Sequence, residues 1–413
     1  MASINSNSNL DYANPELWGM TLQREFFKKK VYPITTRLTV KEILSVGDTV
    51  NRQIMNTSES VLLTSSTENT SITDQAISLT TEAMTIDYDV SCSFNMDDIN
   101  RMQNKPELFN QAIRRHSERI GNYIDAVVLG QINQADSDFD DADLGNTDGD
   151  PAQVTEANIR KVFSSVNKKL SKKNIEEVGR IAIISPDIKE IIVNSLSGRE
   201  DALGVQTTIH GASGVFGTMK LYISNNLPFT TVLSLATQAT NLDTFTYNGV
   251  VFTFVDTLGT TAGYLHLTST VDIDRANLAL ALATPGTTVA SATDAGFVAV
   301  STADQALLAD ITATNDNTAD TLTIRQLGKS YVASSVDLTD TTDSISQQYV
   351  ECYFGNPGGI DLAIQKQPMA EKERVQSAFA DRMKMRTIFG VKTFADGAEI
   401  FTNVKIDASN FIA

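Results

Sequence analysis

The sequence predicts an α+β fold that carries a small inserted domain, and three observations predict it. Apolar and polar side chains alternate over 84–94, as in a half-buried strand, and the pattern becomes helical after Asn95. Helices and strands then alternate over 154–228. The composition changes sharply over 229–346 and returns to its earlier character after Gln347, which is typical of an insertion.

Composition and charge narrow the class of protein. A chain of 413 residues exceeds one ordinary core, so two domains or one domain with an insertion are expected. Fifty acidic residues against 33 basic ones give a net charge of −17, which argues against general nucleic-acid adhesion. Cys92 and Cys352 fit no metal-ligand or redox spacing and indicate a reducing compartment. The first residues lack the pattern of a signal peptide, and no apolar run approaches the ~20 residues of a membrane span, so we expect a cytosolic product without membrane contact.

The N-terminal part predicts two segments that reach outward. Residues 1–15 are rich in Ser and Asn and predict a mobile arm, and the helix predicted over 16–32 carries large apolar side chains on one side. A Ser/Thr/Asn-rich stretch over 56–75 lies between two strand-like segments and predicts a long hairpin; a disordered surface loop is the alternative. The candidate assembly contacts on these segments are Trp18, Phe26, Phe27, Leu62 and Leu63.

A long helix is predicted from Pro106 to about Ala135, because apolar residues recur there at helical spacing. Its length would be about 45 Å, more than most globular domains need. His116 lies inside the apolar stripe and is predicted to be a core histidine rather than a ligand.

Two stretches resemble functional motifs but do not match them. Seven aspartates lie between 136 and 152. An EF-hand would need glycine at position 141, where the chain has aspartate, and glutamate at position 147, where it has threonine, so the segment does not match. An adventitious cation site in this loop is the alternative. The segment 211–215 breaks the G-x-S-x-G pattern at its last position. None of the three histidines lies near a serine or cysteine that makes a plausible catalytic partner in the sequence, so we predict no catalytic residue, no metal ligand and no cofactor.

The stretch 229–346 has a composition of its own. It contains 25 threonines, 12 aspartates, no glutamate and three basic residues, which is −9 of the net charge. Asn248–Gly249 predicts a hairpin turn. We expect a separate small α+β, β-rich domain, and its composition also raises the hypothesis that it binds surface glycans. After it, the sequence predicts a closing strand pair around "MKMRTIFGVKTFADGAEIFTNVKI", with its turn at Asp396–Gly397.

Three stretches, in this order, resemble the major capsid protein family of tailed bacteriophages, which has the Hong Kong 97-type fold. They are "SFNMDDINRMQNKPELFNQAIRRHSERIGNYIDAVVLGQI", "GVFGTMKLYISNNLP" and "RMKMRTIFGVKTFADGAEIFTNVKI". Each alone is moderately specific, and their order and spacing carry the resemblance, which covers most of 16–228 and 347–407. It implies the following parts: N-terminal arm and helix 1–35, extended loop hairpin 36–90, peripheral domain with a long spine helix 91–153 and 368–413, axial domain 154–228 and 347–367, and insertion domain 229–346.

The resemblance also implies a function and partners. We expect a shell protein that assembles as pentamers and hexamers into the icosahedral head of a virion in the host cytoplasm, with a portal, a separate scaffolding protein and non-specifically packaged double-stranded DNA as partners. No lysine occurs between Lys41 and Lys105, so crosslinking through an extended-loop lysine, known in some members, is not expected. Two alternatives stay open: an encapsulin-type nanocompartment shell, and an enzyme with a β-rich carbohydrate-binding insert.

Overall fold

The computed structural model describes 30–37, 49–55, 79–98, 106–146, 149–196, 215–216, 218–268, 270–289, 296–339, 343–376 and 379–409. The predicted arm, most of the helix predicted over 16–32, and the tip of the predicted hairpin lie outside the described residues. The helices within them are α1 (Tyr32–Thr35), α2 (Pro106–Gly130), α3 (Ile159–Lys172), α4 (Pro186–Leu196), α5 (Val271–Ala283), α6 (Thr302–Leu307) and α7 (Ala395–Glu399).

The described strands form four sheets. One pairs β2 (Thr49–Met55) with β3 (Leu79–Thr85), the base of the predicted hairpin. A second has the order β1 (Thr36–Arg37), β17 (Ile360–Arg374), β18 (Ala380–Lys392), β4 (Tyr88–Asp97). A third has the order β12 (Tyr264–His266), β11 (Val250–Val255), β10 (Thr244–Tyr247), β15 (Ser334–Asp337).

The fourth sheet is the largest and holds the centre of the core. Its order is β13 (Ile311–Asp316), β14 (Thr321–Gln326), β9 (Phe229–Ser234), β16 (Ser344–Gly355), β6 (Ile181–Ile184), β8 (Met219–Ile223), β7 (Val215–Phe216). Outside this order, β19 (Phe401–Asp407) pairs with β16 and also with β5 (Asp138–Phe139). All four residues of β6 are buried, as the continuous apolar run "IAII" predicts for a central strand.

The long helix is present, and it is shorter than predicted. Helix α2 runs for 25 residues, or roughly 37 Å, and a 3₁₀ turn over Gln131–Gln134 follows it. Ile120, Ile124 and Val128 are buried at the helical spacing seen in the sequence. His116 is half-buried and stacks on the Phe94 ring at a centroid distance of 5.0 Å. It therefore lies at the margin of the core.

The inserted stretch continues the main sheet. Strand β9 pairs with β16 on one side and with β14 on the other, so hydrogen bonding runs across the boundary that composition places at 228/229. Phe229, Leu233 and Ile324 are fully buried in the same core as β6. Composition did not reveal this because the threonines of β14 alternate with the buried Leu322 and Ile324, and because Thr230 and Thr231 of β9 are themselves buried. The Asn248–Gly249 turn is confirmed, with φ values of 52° and 82° between β10 and β11.

The predicted closing strand pair is wrong. Strand β18 pairs with β17 and β4, whereas β19 pairs with β16 and β5 in the largest sheet. The predicted turn at Asp396–Gly397 lies inside the short helix α7. A Cβ atom at Gly397 would lie 2.3 Å from the Gly359 carbonyl oxygen, so the close contact between these segments requires glycine there. Helix α7 thus carries the chain from one sheet to the other.

Candidate assembly surfaces

The N-terminal segment enters the fold against helix α2. The Asp125 carboxylate is fully buried and accepts hydrogen bonds from the Val31 amide at 2.8 Å, the Tyr32 amide at 2.7 Å and the Asn226 side chain at 2.7 Å. Burial raises the pKa of Asp125, and these three hydrogen bonds oppose that rise. Lys30 also pairs with Glu118 at 2.9 Å. The chain at residues 30–32 is thereby held against the long helix.

The base of the hairpin is held by its own small cluster. Val50, Met84, Ala363 and Phe394 form a hydrophobic group apart from the main core. The Arg52 guanidinium donates to Asp396 and to the buried Asp361, the latter at 3.5 Å, and lies 5.4 Å from the centroid of the Phe394 ring. The base of the hairpin is therefore held against β17 and the segment at α7 by apolar packing and by the contacts of Arg52.

The turn between β17 and β18 presents an exposed aromatic side chain. Phe379 is 82% exposed, on a turn where Arg374 pairs with Asp98 at 2.6 Å and with Asp381 at 3.4 Å. The hydrogen bond that Arg374 donates to the Asp98 carboxylate raises the pKa of Arg374. Exposed pairs of this kind stabilise little, but they order the strand ends. Sequence reasoning missed Phe379; an aromatic residue between small and polar ones in "VQSAFAD" was the available signal.

Trp18, Phe26, Phe27, Leu62 and Leu63, the contacts predicted from the sequence, lie outside the described residues. The structure instead shows where the two segments that carry them are attached. Both attachments use a charged side chain that is held by residues far away in the sequence: Asp125 for the arm and Arg52 for the hairpin.

The cysteine thiols are partly or fully buried, and carboxylates of the acidic loop are paired with other side chains. Burial raises the pKa of the Cys92 and Cys352 thiols, so both are protonated near neutral pH and are poor nucleophiles. Aspartates of the acidic loop pair with lysines, Asp136 with Lys173 at 2.7 Å and Asp138 with Lys405 at 2.7 Å. In the described part of the chain, no three His, Cys, Asp or Glu side chains are grouped to hold a metal ion. Within that part, no helix has both the length and the apolar character needed to cross a membrane.

Comparison with solved structures identifies the fold. No known protein family and no curated protein matches the sequence. The chain is similar to a structure from Mycobacterium phage Che8 (TM-score 0.51, 15% identity, 94% of this chain and 96% of that one). It is also similar to the capsid structure of the cyanophage P-SCSP1u (0.51, 11%, 98% and 96%) and to the asymmetric unit of the bacteriophage PhiM1 mature capsid (0.51, 11%, 97% and 93%). The predicted Hong Kong 97-type capsid fold is confirmed.

Proposed function

We propose that this chain is a major capsid protein, which assembles into the icosahedral head shell around the double-stranded DNA of a tailed phage. One observation carries the proposal: the chain shares its fold, over 97–98% of its length, with two proteins described as phage capsids. A match over nearly the whole chain supports a structural role that includes the inserted stretch. The role proposed is structural and not enzymatic.

The described geometry supports a shell protein. A shell needs many contacts that symmetry repeats and that close instead of growing into fibres. Helix α2 supplies a rigid rod of roughly 37 Å, and Asp125 and Arg52 hold residues 31–32 and strand β2, the described parts next to the predicted arm and hairpin tip. Charged anchors at these points would hold each segment's direction while its distal part adapts to a neighbour.

The partners and the roles of the domains follow from the proposed function and not from contacts in the described structure. The chain would form pentamers and hexamers, meet a portal at one vertex, and use a separate scaffolding protein in the host cytoplasm. Its net charge of −17 is consistent with weak, non-specific contact with packaged DNA. The domain division stated above, with 154–228 and 347–367 around the symmetry axes and 229–346 projecting outward, belongs to this proposal.

Expression of the full chain alone, followed by electron microscopy and sedimentation, tests the function. We expect closed shells, tubes or ring-shaped capsomers. A chain that stays monomeric at high concentration, and that still does not assemble with the other head proteins of its genome, would contradict the proposal. Packaged DNA in shells from infected cells would separate a phage head from a cellular nanocompartment.

A substitution pair tests the predicted hairpin contact. Leu62→Ser with Leu63→Ser should reduce the yield of shells at least tenfold without lowering the melting temperature of the subunit. The matched control is Leu242→Ser, which changes a leucine that is 66% exposed on the inserted stretch. If the control and the double variant assemble alike, the hairpin tip makes no important contact.

A further inference from the structure

Helix α3 carries a local excess of positive charge on an acidic chain. Residues 159–173 contain six lysines and arginines, and no acidic residue occurs between Glu156 and Glu176. The whole chain has a net charge of −17, so its average composition conceals this feature. A concentrated charge of one sign attracts a partner of the opposite sign even when the net charge of the protein repels it.

The exposed lysines of α3 are aligned along one side of the helix. Val166 and Leu170 are fully buried and mark the side that packs on the main sheet. Successive residues of a helix turn by roughly 100°, so Lys161, Lys168 and Lys172 lie within about 40° of one another on the opposite side. All three are exposed. They extend over roughly 16 Å of the helix axis and together form a basic stripe.

The remaining lysines of this segment are neutralised by the acidic loop. Lys169 lies 2.5 Å from Asp143, and Lys173 lies 2.7 Å from Asp136. Around the helix, these two lysines are about 80–120° away from the basic stripe and nearer to the sheet. Within the described part of the chain, no carboxylate pairs with the basic stripe itself. Its charge is therefore available to a partner.

The surface around the basic stripe fits a nucleic acid better than a protein. Ser164 and Ser171 are exposed beside the lysines, whereas every apolar side chain of α3 is buried. Protein–protein interfaces have an apolar centre and are depleted in lysine. Protein–DNA interfaces are polar and strongly positive, and both lysine and serine side chains contact phosphates. Double-stranded DNA carries one charge per ~1.7 Å of its axis, so about ten phosphates lie along the length of the stripe.

We propose that the basic stripe of α3 binds the backbone phosphates of double-stranded DNA on the inner side of the shell. The binding is independent of base sequence, because lysines on an exposed helix face contact phosphates and not base edges. Each copy holds the DNA weakly through three charges, and the shell repeats this contact many times. The inference rests on the proposed function, since it assigns the packaged DNA to one surface of the shell protein.

Fluorescence anisotropy of a labelled duplex, titrated with the full-length unassembled chain at several salt concentrations, tests the proposal. Each neutralised phosphate contributes about −0.9 to the slope of log K against log salt, so three lysines predict a slope of about −2.7. Lys168→Gln with Lys172→Gln should reduce the slope to about −0.9 and weaken binding roughly tenfold or more at ~50 mM salt. Two duplexes of different sequence should bind equally well.

The matched control is Lys169→Gln with Lys173→Gln. It removes the same two charges from the same segment, but from the flank that is paired with the acidic loop. We expect its slope to stay within about 0.5 of that of the natural chain. Melting curves of both double variants establish that each one is folded.

Lysine acetylation followed by mass spectrometry tests where the basic stripe lies in assembled heads. Lys168 and Lys172 should be modified roughly threefold less in DNA-filled heads than in emptied ones, because bound phosphates cover them. Lys169 and Lys173 should react alike in both. Equal reactivity of Lys168 in filled and emptied heads would overturn the proposal.

Three results of the binding assay would also overturn the proposal. They are no binding at ~50 mM salt, an equal loss of slope in both double variants, and equally tight binding of polyglutamate, which would assign the stripe to an acidic protein. Electron microscopy of the same proteins reports assembly separately. Shells formed by a chain that binds no duplex refute the DNA contact alone. Duplex binding by the stripe without assembly, even with the other head proteins of the genome, supports the contact and refutes the shell.

Discussion

The buried ion pair between Arg325 and Glu351 joins the inserted stretch to the main sheet and the long helix. Arg325 on β14 and Glu351 on β16 expose 16% and 4% of their side chains. The Arg325 Nε atom donates to both carboxylate oxygens, at 3.0 and 3.1 Å, and its Nη2 atom donates to the Gly130 carbonyl oxygen at 2.8 Å. One guanidinium therefore connects β14, β16 and the last turn of α2.

Arg325→Met should be strongly destabilising because it leaves the Glu351 carboxylate buried without its cation. The expected loss is about 3–5 kcal/mol in the free energy of unfolding. The unfolding entropy of globular proteins is roughly 2 cal/mol/K per residue, which amounts to about 0.9 kcal/mol/K for 413 residues. Dividing the expected loss of free energy by this entropy gives a fall in the melting temperature of about 3–6 °C. The double variant Arg325→Met with Glu351→Leu removes both charges, and we expect it to recover to within about 1 kcal/mol of the natural chain.

Thermal unfolding of unassembled subunits, followed by circular dichroism, measures all three proteins. The matched control is Lys384→Met, which removes a cation from an exposed pair with Glu373 and should shift the melting temperature by less than ~1 °C. The reasoning is refuted if Arg325→Met melts like the control, or if the double variant is as unstable as the single one. The first result would mean that water reaches the site, and the second that packing rather than charge dominates.

Three further predictions concern single positions. Asp125→Ala removes the acceptor of two backbone amides and one side-chain amide, so we expect a loss of ~2–4 kcal/mol and faster hydrogen exchange over 31–37; unchanged exchange would contradict the anchoring role. Gly355→Ala places a Cβ atom 2.4 Å from the Phe401 Cα atom and should cost ~1–3 kcal/mol, whereas Gly259→Ala meets nothing within 4 Å; equal melting temperatures would show that β16 and β19 can separate. Burial raises the pKa of Asp243, but hydrogen bonds donated by Thr240 and Thr339 outweigh this effect, so the net pKa is lowered. Its stabilisation is present above its unfolded pKa of about 4 and is lost as the pH falls through the lower folded pKa, so the melting temperatures of Asp243→Asn and the natural chain should converge as the pH falls below about 4; a constant gap would refute this.

Local periodicity was enough to predict much of the fold. Helix α2 was predicted because its apolar residues repeat at helical spacing, and its end was misplaced by about five residues because the 3₁₀ turn continues the apolar pattern. The β10–β11 hairpin was predicted because Asn248–Gly249 adopts positive φ at little cost. The order of three short motifs was sufficient to predict the Hong Kong 97-type fold.

The choice of strand partners was decided only by the tertiary structure. Strands β18 and β19 are neighbours in the sequence, yet each pairs with distant strands, because the short helix α7 between them packs against Gly359 and turns the chain into another sheet. Strand β9 opens the inserted stretch but belongs to the main sheet, because it pairs with β16, more than a hundred positions away, and its buried residues complete the same core.

The candidate assembly surfaces show the same division between what the local sequence predicts and what the tertiary structure decides. Sequence alone determined which segments carry apolar groups, and their use as contacts stays a prediction, since composition and alternation are local properties. It did not determine where these segments attach, because the Asp125 anchor joins residues 94 and 101 positions apart. Nor did it show which lysines of α3 are neutralised, because Asp136 and Asp143 of the acidic loop pair with only one flank of that helix. Contacts of this kind depend on the packing of the whole molecule, and only folding brings their partners together.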